Sequence, residues 1–343
     1  MAIIGSSALT LAEWATRLDG DGKPAAVIEL LGQTNEMLSD MLWMECNDGA
    51  SHKTTVRNGL PAATWRLLNY GVVKSKSETT QVRDSTGMLE AMSEIDKALA
   101  DLHGNTAEFR MGEDMAFIES MNQAMQQTVI YGNTDATPAR FNGLASRFNT
   151  LNQAVAPSGQ NIVDAGGTSS TNTSIWLISW GQNTCHGLFP KGSQAGLQVR
   201  DMGEVPINDP ASNVFMGYRT HFKWDCGLSV RDWRHVVRIA NVAVAQGAVT
   251  TANLINTMIT ALNKLPAIHA AGNSPPPGGT LPGQINTAFY CNRLVRTALD
   301  IQAMTKANAL LTIETRDGRP YTAFRGIPVR ICDQLLNTEA RVV

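Results

Sequence analysis

Charge is scarce in this sequence. Asp, Glu, Lys and Arg make up 17% of its 343 residues, against about a quarter in an ordinary soluble chain. The net charge is −2, and no basic run exceeds two adjacent residues. A groove for nucleic-acid phosphates needs a concentrated positive field, so tight nucleic-acid binding is not expected. Uncharged Ser, Thr, Asn, Gln and Gly replace the missing charge. Such a surface has little repulsion to keep copies apart, and extensive burial against partners is expected.

Paired cysteines are lacking as well. The five cysteines (Cys46, Cys185, Cys226, Cys291, Cys332) are widely separated, and no CxxC occurs. That spacing excludes a zinc ribbon or a thioredoxin-like motif and suits a reducing compartment in which thiols pack as small hydrophobes. No segment approaches the roughly 20 apolar residues of a membrane span. The N-terminal stretch has no basic start, and Glu13 and Arg17 interrupt its apolar run. It reads as neither signal peptide nor membrane anchor, so a soluble protein made in cytoplasm is expected.

What is present reads as helices mixed with antiparallel hairpins, an α+β pattern. Residues 1–45 suggest short helical pieces, with a capping box at Thr10 and Glu13 and a helix start at Pro24. Too short for a core of their own, they form an arm that lies on something else. Residues 50–86 carry the turn dipeptide Asn58-Gly59 and a segment from Lys74 to Val82 that is polar on both faces. A half-buried strand alternates apolar with polar; this ribbon covers no core. It is either a solvated loop or a projecting ribbon that docks on a neighbouring subunit.

The stretch GMLEAMSEIDKALADL (87–102) predicts a short amphipathic helix. A longer helix follows over 107–131, where Met111, Met115, Ile118, Met121, Met125 and Val129 recur at three- and four-residue spacing as one core-facing stripe. At about 1.5 Å per residue it runs roughly 37 Å. Asn105 or Thr106 caps its start, and Gly132 is expected to supply a left-handed stop. Beyond it, Asn133 to Pro138 turns the chain, and Phe141 and Leu144 pin that corner to the core. Residues 173–181, 196–207 and 217–232 predict strands, and Trp233 to Val244 either continues a strand or begins a buried element. Residues 250–265 and 292–304 predict helices, 273–279 a stiff proline-rich loop, and Asp317-Gly318 the turn of a closing hairpin.

Chemistry-bearing patterns are few. Cys185 and His186 pair a nucleophile with a base, but neighbours on an extended chain point apart. The sequence FPKGSQ lacks the spacing of a phosphate loop. The six histidines show no HExxH or HxH pattern, which argues against a metal site. The carboxylates Glu113 and Asp114 are read as a solvated helix face. No catalytic residue, cofactor or metal is expected.

The order of elements carries the remaining information. The stretches LPAATWRLLNYGVVKSKSETT, VIYGNTDATPARFNGLASRFN, WGQNTCHGLFPKGSQAGLQVRDMGE, YRTHFKWDCGLSVRDWRHVVRIANV and TIETRDGRPYTAFRGIPVRICD span nearly the whole chain. In that order the sequence resembles the major capsid proteins of tailed bacteriophages (the Johnson fold), in particular the epsilon-fifteen-like and Bordetella podovirus group.

The resemblance implies an N-terminal arm (1–45), an extended β-ribbon loop (46–86) and a peripheral domain (87–234) with a spine helix at 107–131. It also implies an axial domain (235–308) and a C-terminal return to the peripheral domain (309–343). It implies self-assembly as pentamers and hexamers into an icosahedral head around double-stranded DNA held non-specifically. The partners it brings are the chain itself, a portal, a separate scaffolding protein and a decoration or cementing protein, with no membrane. The location is the virion, after synthesis in the host bacterial cytoplasm. Arg66, Lys74, Lys76, Glu78 and Arg83 are the expected inter-subunit contacts. Some such phages join subunits by a Lys–Asn isopeptide bond; Lys74 and Lys76 lie where that lysine falls, but no matching Asn motif is found and a covalent link is not expected. An encapsulin-type shell and a cytosolic cysteine hydrolase using Cys185 are the alternatives.

Overall fold

The computed structural model describes residues 33–101, 106–208, 212–244, 254–266, 285–305, 311–316 and 319–343. The expectations for Thr10, Pro24 and the loop at 273–279 lie outside those residues. Among the described residues, thirteen strands join in one branched sheet. The first half comprises β1 (Trp43–Glu45), β2 (Ser51–Gly59), β3 (Glu78–Asp96), β4 (Ile162–Asp164), β5 (Asn172–Trp180), β6 (Cys185–Phe189) and β7 (Gln198–Asn208). The second comprises β8 (Val214–Val230), β9 (Val236–Ala243), β10 (Asn286–Cys291), β11 (Leu311–Arg316), β12 (Arg319–Phe324) and β13 (Ile327–Ile331). Their main path runs β11-β12-β13-β10-β5-β6-β8-β3-β2, with β9 on β5, β4 on β9, β7 on β8 and β1 on β6.

β5 organises the interior. All nine of its residues are buried, because a strand covered on both faces becomes a near-continuous apolar run. Trp176, Ile178 and Trp180 face one core, together with Met125, Val129 and Ile130 of the long helix Thr106–Tyr131. Ile175 and Leu177 face the other, packed with Met258 and Leu262 of the helix Leu254–Lys264 and with Val295 and Leu299 of the helix Arg293–Thr305. The mixed α+β architecture is the expected one.

Four local expectations are corrected. Residues 87–96 belong to β3, and only Lys97–Ala100 is helical, started by Asp96, whose carboxylate accepts from the Ala98 amide at 2.8 Å. The helix-forming composition loses to sheet pairing, since local propensity is a weak prior against tertiary contacts. In β3, Ser93 and Ile95 turn inward. Glu90 and Glu94 face outward opposite Lys223 and Arg219 of β8, paired at 3.8 and 2.7 Å.

The methionine stripe divides. Met121, Met125 and Val129 are buried, whereas Met111 and Met115 are 68% and 60% exposed. The first half of the helix meets the sheet through Phe117, stacked on Phe222, and through Arg110, which lies over the Tyr218 ring and bonds Asp201 at 2.6 Å.

Asn58-Gly59 closes no tight hairpin. The pairing shifts register between Arg57 and Gly59, Gly59 sits opposite Glu78, and residues 60–77 intervene.

Gly132 does not adopt a left-handed conformation. A Cβ there would stand 2.2 Å from the Phe141 carbonyl oxygen, so the glycine serves a close crossing of two backbones. Phe141 and Leu144 are buried beside the long helix and fasten the corner as expected.

Candidate inter-subunit surface

The ribbon formed by β2 and β3 leaves the body at a tightly bonded root. Asp84 of β3 is buried, and its two oxygens accept from the Arg147 guanidinium and the Ser229 hydroxyl, each at 2.8 Å. Next to it, Arg231 donates to His52 Nε2 at 2.8 Å, and the His52 ring meets His186 of β6 edge-on with centroids 5.7 Å apart. Burial, reinforced by the Arg231 charge, holds His52 below its usual range and pushes His186 down to about 4. Both rings are therefore neutral at pH 7. Lys53 reaches Asp48 at 2.8 Å, and the Asn47 side chain bonds both the amide and the carbonyl of Lys53 at 2.8 Å.

Outward from this root the ribbon loses its cover. Every β3 residue from Glu78 to Arg83 is exposed. Residues 60–77 extend past the last strand pair; the Ser75 hydroxyl donates to the Ala62 carbonyl at 2.9 Å, which holds the two legs together. Asn69 takes the left-handed conformation (φ 70°) that reverses the chain. The tip is apolar: Leu60, Trp65, Leu67, Leu68, Tyr70, Val72 and Val73 are all exposed, Trp65 completely. A cluster of large apolar side chains in water marks an interaction site, and Trp, Tyr and Arg are the residues that dominate binding energy when an interface covers them.

Of the charged residues singled out in the sequence, Arg66, Lys74 and Lys76 lie on this tip and are exposed. Glu78 opens β3 beside them. Arg83 sits nearer the root, where its Nε donates to the Ser51 hydroxyl at 2.9 Å and its guanidinium lies 3.5 Å from Asp48. The charge pattern passed over the apolar tip, although Trp65, Leu67, Leu68 and Tyr70 within six residues of a segment with no burial period were a readable signal.

The candidate nucleophile lies in the interior beside this root and is inert. Cys185 is fully buried, and desolvation drives its thiol well above the ordinary range, so it does not form the thiolate that nucleophilic attack requires. Among the described residues, no three His, Cys, Asp or Glu side chains converge as metal ligands, and no helix is long and apolar enough to cross a membrane.

The profile of the family described as major capsid protein GP7 matches residues 19–343. The chain belongs to this family. A solved structure of bacteriophage epsilon15 is similar over 100% of this chain and 99% of its own, at 36% identity and a TM-score of 0.77. A bacteriophage JBD30 capsid chain aligns over 89% and 93% at 9% identity and a TM-score of 0.48. An encapsulin of Synechococcus elongatus aligns over 69% and 98% at 14% identity and 0.43, and these two carry no argument of their own. No curated protein sequence matches. The capsid resemblance in the sequence is confirmed at the level of family and fold, and the family is a structural one whose members associate with copies of themselves.

Proposed function

We propose that this chain builds the icosahedral head of a tailed bacteriophage, assembling as hexamers and pentamers around non-specifically held double-stranded DNA. The observation that carries this reading is the projecting ribbon, polar on both faces along its shaft and apolar at its tip, which satisfies itself only against another copy. Each copy that donates a ribbon and receives one gains two modest contacts, and a closed shell sums them through multivalency. In this reading residues 1–45 form the arm and 46–86 the extended loop. Residues 87–234 and 309–343 form the peripheral domain with its spine helix, and 235–308 the axial domain at capsomer centres. Arg66, Lys74, Lys76, Glu78 and Arg83 work at or near the contact, Arg83 by stiffening the root. Synthesis in the host cytoplasm, a portal, a scaffolding protein and a decoration protein complete the assembly. A near-neutral inner surface lets DNA be packaged and released.

The test replaces residues 60–77 by a two-residue Asn-Gly turn, which suits the Gly59–Glu78 strand pair it joins. The subunit is expected to keep its circular dichroism and unfolding midpoint and to form no closed particles by negative-stain microscopy. Normal particles from this variant refute the ribbon's role.

A further inference from the structure

The dipeptide Asn-Gly occurs twice in the chain, at Asn58-Gly59 and at Asn142-Gly143, each time followed by leucine. Asparagine before glycine is open to self-modification, because glycine has no Cβ to keep its backbone nitrogen away from the neighbouring side chain. That nitrogen attacks the asparagine Cγ, the bond from Cγ to the side-chain nitrogen breaks, and ammonia leaves with the displaced proton. Water then opens the five-membered succinimide at either carbonyl, which gives aspartate or isoaspartate. Water is the only co-reactant.

The fold closes this route at Asn142. Its Oδ1 accepts from the Thr134 amide and hydroxyl at 3.0 and 3.1 Å. The Gly143 amide donates to the Gly132 carbonyl at 2.8 Å. Gly143 is buried, and a Cβ there would meet the Thr128 and Val129 carbonyl oxygens at 2.6 and 2.8 Å. Both reacting groups are committed, and ring closure would have to break a buried crossing of two backbones.

At Asn58 the route is open. The register of β2 on β3 shifts between Arg57 and Gly59, so Asn58 is the extra residue of a bulge and stands opposite no residue of β3. It is exposed, and its side chain has no hydrogen-bond partner among the described residues. Gly59 forms the last strand pair, with Glu78, and residues 60–77 lie beyond the ladder. The atoms nearest to a Cβ built on Gly59 belong to the Glu78 side chain, at 3.2 Å and beyond, and a flexible side chain yields where backbone does not. The end of a ladder opens at little cost, and opening gives Asn58 and Gly59 the rotation that ring closure requires.

We propose that Asn58 is a self-modifying site, converted in the folded chain to aspartate and isoaspartate through attack by the Gly59 nitrogen, while the crossing that buries Gly143 preserves Asn142. The product differs in charge and in length. Residues 57–77 carry Arg57, Arg66, Lys74 and Lys76 and no acid. Conversion puts a carboxylate into that basic segment, next to the Gly59–Glu78 pair, and like charges weaken cross-strand pairing. Isoaspartate also adds one methylene to the backbone of one ribbon leg and none to the other, which re-aims the apolar tip beyond it. The change is one-way, set by time, and independent of the shell reading.

The test holds the full chain in mildly alkaline buffer made with heavy-oxygen water, which labels only acid formed during the incubation. Peptide mass spectrometry with radical fragmentation then separates isoaspartate from aspartate, and a second sample is held unfolded in denaturant. In the folded chain residue 58 is expected to convert at least about tenfold faster than residue 142. In denaturant the two are expected to convert at comparable rates, since their dipeptides and the following leucine are the same. Gly59→Ala is expected to slow conversion at residue 58 by about tenfold or more, and the aged native chain to elute from anion exchange with the Asn58→Asp variant. A residue 58 that keeps its amide in the folded chain, equal rates at residues 58 and 142 there, or a Gly59→Ala variant that converts as fast as the native chain overturns the proposal.

Discussion

Arg238 and Glu339 form an ion pair at 2.8 Å with side chains only 5% and 6% exposed, joining the central sheet to the C-terminal segment. The Glu339 carboxylate accepts three hydrogen bonds in this knot. Glu339 also accepts from the Tyr131 hydroxyl at 2.5 Å and from the Ser174 hydroxyl. Arg238 donates to Ser174 Oγ at 3.0 Å and to the Phe148 carbonyl at 2.7 Å, with its guanidinium over the Trp176 ring. The pair therefore ties the end of the long helix, β5, β9 and the C-terminal segment to one point.

Removing one partner leaves a buried charge uncompensated, which typically costs about 3–5 kcal/mol, whereas replacing both by apolar groups is often close to neutral. Glu339→Ala is expected to destabilise the unassembled subunit by about that amount in denaturant titration. Arg238→Met combined with Glu339→Leu should recover most of the loss. A single-variant loss below about 1 kcal/mol would show that the C-terminal segment does not hold the sheet.

The ribbon root predicts an acid response. His186 titrates at about 4 in the folded chain, against about 6.5 when unfolded. Above pH 6.5 both states are neutral and the contribution is complete. Between 6.5 and 4 only the unfolded chain takes the proton, so stability falls with falling pH by about 1.4 kcal/mol per unit, to a total near 3 kcal/mol. His52, lowered by burial and by Arg231, adds in the same direction; Asp84 opposes both shifts. His186→Leu is expected to reduce proton uptake on unfolding by about one between pH 6 and 4.5, read from the pH dependence of the denaturation free energy. An unchanged slope would place the acid response in other groups.

Elements decided by their own residues were legible in the sequence. The long helix was visible from its spacing to within one residue of its start, and β5 as a compact, mostly apolar segment. The ribbon was visible because a two-sided polar strand has no core to cover. Elements decided by a partner were not. Residues 87–96 have a helix-forming composition, and only Lys223 and Arg219 on β8, more than a hundred residues away, make Glu90 and Glu94 the outward side of a strand. Met111 and Met115 continue the period of Met121 and Met125, but the sheet beneath them is met instead by Phe117 and Arg110. At the candidate surface, Arg66, Lys74 and Lys76 were legible as charge on a projecting loop. The apolar tip between them was passed over, because a sequence read for burial assigns leucine and tryptophan to a core.

The corner after the long helix tests the same distinction at a single atom. The Gly143 amide donates to the Gly132 carbonyl at 2.8 Å, and the two backbones cross in contact. A Cβ on Gly132 would meet the Phe141 and Thr128 carbonyl oxygens at 2.2 and 2.5 Å, and one on Gly143 would meet Thr128 O at 2.6 Å and Val129 O at 2.8 Å. Backbone atoms in a buried crossing cannot step aside as a flexible side chain does. Gly132→Ala and Gly143→Ala are each expected to destabilise the subunit by at least about 1–3 kcal/mol, the usual cost of overpacking. Gly112→Ala, in the same helix with open space around it, should stabilise by about 0.5–1 kcal/mol because alanine loses less backbone entropy. Thermal unfolding of the three variants side by side separates close approach from helix propensity. Equal, small effects at all three positions would mean the crossing relaxes and the glycines there are dispensable.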